Sequence, residues 1–197
     1  MQAPTYYNSQ NLGHLGLIAV LYDELGIGNI IDTVIPQDFE QRDVSIGQAV
    51  KAMVLNGLGF TQSALYLTPH FFKDKPVDRL VGRNIVAEQL NDTTLGRAMD
   101  SIYQQGISEI FSQIAIKTVR TLGLDCSKVH ADTTSFHTDG VYNSEDEPED
   151  GVIHITKGYS RDHRPDLNQI GLQLICEHQA GIPILMEPLN GNSVDKE

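Results

Sequence analysis

The chain has 197 residues, 40% of them hydrophobic, enough for one large domain or two small ones. No run approaches the ~18 apolar residues of a membrane-spanning helix, and the N-terminal MQAPTYYNSQ has neither the positive n-region nor the apolar h-region of a secretory signal. A formal net charge of −12 argues against a general nucleic-acid coat, whose affinity comes from neutralised phosphates, but leaves room for a metal-dependent phosphoryl-transfer site built from carboxylates.

The first half of the chain carries helical periodicity. Leu12, Leu15, Ile18, Ala19, Tyr22 and Leu25 recur at three- and four-residue steps, the stripe of an amphipathic helix, and Gly26 and Gly28 punctuate it. Ser45 and Gln48 have the capping-box spacing and open a run through Ala49, Met53 and Leu55. A short helix is predicted around residues 62–66, stopped before Pro69. Asn91 or Asp92 caps the next, through Leu95, Met99 and Tyr103 to Gly106. Ser108 caps the last, carrying Ile110, Phe111, Ile114, Ala115 and Val119 to Gly123. Five or six helices are expected.

After Gly123 the period changes. Residues 128–138 alternate as a strand, with Val129, Ala131, Thr133 and Ser135 on one face and His130, Asp132, Thr134 and Phe136 on the other. Residues 139–151 form a polar connection that includes the acidic run SEDEPED at 144–150. Residues 152–156 are a short strand candidate and 158–168 a charged loop with Pro165. Residues 169–177 read as a long apolar strand, His178 to Gly181 as a turn, and 182–189 as the antiparallel partner. The reading is α+β: an all-helical domain over 1–124, then antiparallel strands over 125–197. Cys126 precedes one strand and Cys176 lies within another; their wide separation fits reduced thiols and no CxxC metal spacing. Ile170, Leu172, Leu174 and Cys176 share one face, and 182–189 is apolar on both sides; such strands need a covering layer that GNSVDKE does not supply, so further residues are expected downstream.

Three groups of residues carry candidate chemistry. Asp132 sits mid-strand, where β-propensity disfavours Asp. In a central strand its carboxylate has to be hydrogen-bonded, paired or metal-bound; on a half-exposed strand it simply meets water. The loop GYSRDHRPDLNQ concentrates Arg161, His163 and Arg164, either as a phosphate-contacting loop beside the carboxylate or as a solvated connection. His130, Asp132, His137, His154 and His163 offer a rival hydrolytic metal cluster, although His137 falls on the opposite strand face from His130.

Taken together, HADTTSFH at 130–137, KGYSRDHRPDLNQIGLQLI at 157–175 and GIPILMEPLNGNSVDKE at 181–197 resemble the start of a DDE transposase core. They are most similar to the insertion sequence 1634 family, within the group related to insertion sequence 4. The helical part, from NLGHLGLIAVLYDELGI through DVSIGQAVKAMVLNGLGF, resembles the domain of unknown function 4277 that opens those transposases.

The resemblance implies the first antiparallel strands of an incomplete ribonuclease-H-like core, at 128–138, about 152–157, and the closing hairpin 168–189. It implies that Asp132 is the first of three carboxylates holding two Mg²⁺ ions ~3.5–4 Å apart at a DNA phosphodiester. The family's second Asp and its Glu lie downstream of the matched segment, and Asp195 and Glu197 match no catalytic position. The expectation is therefore an N-terminal transposase fragment, inactive alone, in the bacterial cytoplasm, with transposon-end DNA as its partner. The alternative is a non-catalytic DNA-binding or dimerisation module, pairing as a homodimer or with full-length transposase.

Overall fold

The computed structural model describes residues 10, 12–37, 43–60, 64–140, 152–158 and 164–193. The chain divides into two compact units, Met1–Ile110 and Phe111–Glu197. Together they form an α+β protein, helical first and then a three-stranded antiparallel sheet. No helix among the described residues is long and apolar enough to cross a membrane.

The first unit is built from α1 (Leu15–Glu24), α2 (Ile27–Val34), α3 (Ile46–Gly57), α4 (Thr68–Phe72), α5 (Val77–Leu80) and α6 (Asp92–Gln105). Leu15, Ala19 and Tyr22 of the predicted stripe are buried, and the core around them includes Ile31, Leu55, Phe72, Leu80 and Leu95. The Ser45–Gln48 capping box forms in full at the start of α3: Gln48 N–H donates to Ser45 Oγ at 3.1 Å and Ser45 N–H to Gln48 Oε1 at 2.9 Å. Asn91 is the cap of α6, accepting from Thr94 N–H at 3.0 Å.

Local signals misplace five helical features. Gly26, with φ +69°, does not end the helical region but turns the chain sharply from α1 into α2, a helix that the periodicity did not predict. Gly28 lies inside α2, where a Cβ at Gly47 of α3 would come within 2.5 Å of the Gly28 carbonyl oxygen. That glycine pair permits close helix contact rather than marking a break. Pro69 sits in the first turn of α4, where its missing N–H is harmless, so it opens a helix instead of stopping one. α5 is one turn long, too short to show a period. The predicted 62–66 helix is, where described, a 3₁₀ turn at Leu65–Leu67.

The unit boundary falls within α7 (Ile107–Leu122), which starts one residue before Ser108 and closes at Gly123, φ +63°. Seven α-helices thus stand among the described residues against the five or six expected.

The sheet of the second unit comprises β1 (Val129–Thr138), β2 (Asn168–Glu177) and β3 (Pro183–Leu189), in the order β1-β2-β3. Val129 pairs with Glu177 and Thr138 with Asn168, and β3 returns along β2 with an irregularity at Ile175/Cys176, opposite Pro183. The expected strand at 152–157 is not one. Thr156 makes a single bridge to Gln169, and His154 is held through Asn190 and Gly191. The three strands are therefore 129–138 and the two arms of the 168–189 hairpin.

That hairpin turns around a buried carboxylate. Glu177 is fully buried and accepts backbone N–H bonds from Gln179 and Ala180 at 2.6 Å and Ile182 at 3.1 Å, while Gly181 supplies the positive φ of 68°. Burial pushes its carboxyl up, but the Ile182, Gln179, Ala180 and Gly181 amides together outweigh that and hold it below its ordinary value.

Candidate functional site

The alternation of β1 sends His130, Asp132, Thr134 and Phe136 to one face. Asp132 stands opposite Leu174 in the register and His130 opposite Cys176. β1 is the edge of the described sheet and Asp132 is exposed, with its Oδ1 accepting from Thr133 N–H at 2.9 Å. The central-strand premise therefore does not hold: burial places no demand on this carboxylate, and solvent and ions reach it. Among the described residues no group of three His, Cys, Asp or Glu is placed to hold a metal ion. The rival histidine cluster is not gathered there, since His130 and His137 point to opposite faces and His154 sits in the 152–158 segment.

Arg164 opens the turn into β2, where Leu167 N–H donates to its carbonyl at 3.1 Å. Its guanidinium forks onto Asp166, Nε to Oδ1 at 3.0 Å and Nη2 to Oδ2 at 2.8 Å. The hydrogen bonds from Arg164 pull the Asp166 carboxyl down to about 2, and those to Asp166 raise Arg164, which also feels Asp139. Asp132 pairs with Leu174 and Thr138 with Asn168, six strand positions or roughly 20 Å further along. Arg164 lies beyond that far end and is not brought to Asp132. Arg161 and His163 lie outside the described residues.

The helical unit holds a polar constellation that the sequence reading missed. Lys51 of α3 is buried, yet its ammonium meets both carboxylate oxygens of Asp23 at 2.7 Å. Tyr22 Oη donates to the Gly47 carbonyl at 2.9 Å. Asp32 accepts from Ser45 Oγ and from Gly47 N–H, each at 2.7 Å. Burial first, then the Asp32 and Asp23 charges, push the Tyr22 hydroxyl up, so it stays a donor. These groups line a cavity of about 350 Å³. The only sequence signal was a lysine falling on the apolar side of the α3 run.

Residues 7–116 match the family described as domain of unknown function (DUF4277). The chain belongs to this family. The DUF4277 match takes in α1 to α6 and ends within α7, so the Lys51 constellation lies inside the domain while Asp132 and Arg164 lie outside it. No curated protein and no solved structure matches the chain.

Proposed function

We propose that the chain is the N-terminal part of a DDE transposase related to the insertion sequence 1634 family, whose complete form cuts and joins DNA phosphodiesters at insertion-sequence ends in the bacterial cytoplasm. The observation that carries the reading is the place of Asp132. It lies mid-way along the first strand of an antiparallel sheet that follows a DUF4277 domain, exposed where ions and a phosphate can approach. The order of the parts supports it: helical domain, HADTTSFH strand, then a hairpin of GLQLI and PILMEPL.

Two-metal chemistry at a phosphodiester needs several carboxylates around the ion pair. Asp132 supplies one, and among the described residues no group of three His, Cys, Asp or Glu is placed to hold an ion. These residues alone do not fit a pair of Mg²⁺ ions, so no catalytic step is assigned to them. Mg²⁺-dependent strand transfer by purified 1–197 would overturn that conclusion. The reading itself is tested by the coding DNA past codon 197. It predicts a frame continuing into a strand with an Asp and then a helix with a Glu; absence of both from every frame overturns it.

The confinement of the family match to residues 7–116 favours a second reading, a module that binds transposon ends or partners a second copy or a full-length transposase. With a net charge of −12, autonomous DNA affinity is weak in this reading and seen only at low salt. A gel shift with terminal inverted-repeat DNA at low ionic strength tests it, and no shift there counts against a DNA-binding module.

A further inference from the structure

One end of the sheet brings together two imidazoles that are 48 residues apart in the chain. His130 is the second residue of β1, and His178 is the first residue after β2. His130 Nε2 and His178 Nδ1 lie 2.7 Å apart, with ring centroids separated by 4.9 Å and planes tilted by 42°. Both residues are exposed. The main chain beneath each is fixed. His130 belongs to the β1–β2 ladder, and His178 N–H donates to the Lys128 carbonyl at 3.2 Å, at the start of the turn that folds around the buried Glu177 carboxylate.

At this separation one ring donates its N–H to the lone pair of the other, so each ring turns a nitrogen toward a common point. A neutral imidazole nitrogen is the commonest protein ligand of a transition metal. Two such nitrogens bound to one tetrahedral ion at ~2.0–2.1 Å stand about 3.3 Å apart. Replacing the shared proton by a metal thus requires the rings to open by only ~0.6 Å, a side-chain rotation that two exposed rings can make on a fixed backbone.

We propose that His130 and His178 form an open chelate for a divalent late first-row transition metal ion of the Zn²⁺, Ni²⁺ and Cu²⁺ class. The protein supplies two ligands, since no group of three is placed to hold a metal among the described residues; water or a small donor fills the remaining positions. The chemistry differs from that proposed at Asp132. Imidazoles select the borderline-soft ions, whereas Mg²⁺ takes oxygen ligands and keeps its water. The site stands whether or not the transposase reading does.

The test is a Zn²⁺ titration of the tag-free 197-residue chain, kept reduced, by calorimetry, with His130→Gln, His178→Gln and His137→Gln beside it. Removing even the partners behind metal ligands lowers affinity 10–100-fold, so losing a ligand itself weakens binding by roughly tenfold or more. The expected result is one ion per chain, lost in the His130 and His178 variants and kept in His137→Gln, whose ring lies on the other face. Equal binding by the His130 and His178 variants, or no binding by the parent at millimolar Zn²⁺, overturns the proposal. Imidazole nitrogen NMR gives an answer independent of any variant's folding. Of the seven histidines only His130 and His178 should shift on adding Zn²⁺, and a shift confined to others refutes the site.

Discussion

The close contact of Gly28 and Gly47 makes one substitution informative because its sign reverses elsewhere. A Cβ at Gly47 would lie 2.5 Å from the Gly28 carbonyl oxygen, 2.7 Å from its Cα and 2.9 Å from its carbonyl carbon, all backbone atoms with no side chain to yield. In Gly47→Ala, α2 and α3 must therefore separate. Overpacking of this kind costs about 1–3 kcal/mol. The separation also stretches the 2.9 Å Tyr22 bond to the Gly47 carbonyl and the 2.7 Å Asp32 bond to its N–H, each worth about 1 kcal/mol. Against that stands the helix propensity gained from Ala, up to about 1 kcal/mol. The balance is a net loss of about 1–3 kcal/mol, or a Tm lower by roughly 5–15 °C for a unit this size. Gly96, inside α6, has an ordinary helical backbone and open space within 4 Å of where a Cβ would stand. Gly96→Ala should keep only the propensity gain, about 0.5–1 kcal/mol, and raise Tm by a few degrees. Thermal melts followed by the helical circular dichroism signal compare the two. A Gly47→Ala protein as stable as its parent would refute the helix contact and the polar network built on it.

Other consequences follow from single groups. Ser45→Ala removes the α3 cap and the 2.7 Å bond to Asp32, so urea denaturation should show a loss of about 1–2 kcal/mol. Asp23→Ala strands the buried Lys51 ammonium; because Asp23 is 64% exposed and water can enter, the loss should be about 1–3 kcal/mol, below that of a fully buried pair. Lys51→Met, which removes the charge with its stem in place, should stay within about 1 kcal/mol of the parent. The Glu177 and Asp166 carboxyls are held below their ordinary values of 4.5 and 3.8, so what they contribute is present above those values and lost as pH falls below them, toward about 2 for Asp166. Protection of the Gln179, Ala180 and Ile182 amides, taken against the intrinsic exchange rate at each pH, should therefore fall on acidification, and in Glu177→Gln it should already be low at neutral pH.

What was legible in the sequence was mostly local. The Ser45–Gln48 box and the Asn91 cap are settled within four residues of chain, and both formed as read. The strands were legible to within a residue, because alternation and the turn at 178–181 mark them, while their register, with its irregularity at Ile175/Cys176, was not. Gly28 and Pro69 misled because their meaning is tertiary or positional: one is a contact with Gly47, the other a first-turn residue. Residues 152–156 have the composition of a strand, but Asn190 and Gly191 take up hydrogen bonds of that segment. Around Asp132 the sequence left a buried central strand and a half-exposed one both open, because what covers a strand is decided by residues far along the chain; the edge position and exposure favour the second. The Lys51–Asp23 and His130–His178 pairs join residues 28 and 48 positions apart, which no spacing rule links.

The central claim is that Asp132 is a metal-holding carboxylate of a DNA strand-transferring enzyme. The most direct measurement is Mg²⁺-dependent cleavage of inverted-repeat DNA by the polypeptide obtained when the coding DNA is read on past codon 197, with Asp132→Asn assayed in parallel. The account predicts cleavage by the parent and its loss in Asp132→Asn, which keeps the strand and its solvent exposure but removes the charge that holds the ions. Undiminished cleavage by Asp132→Asn would contradict it.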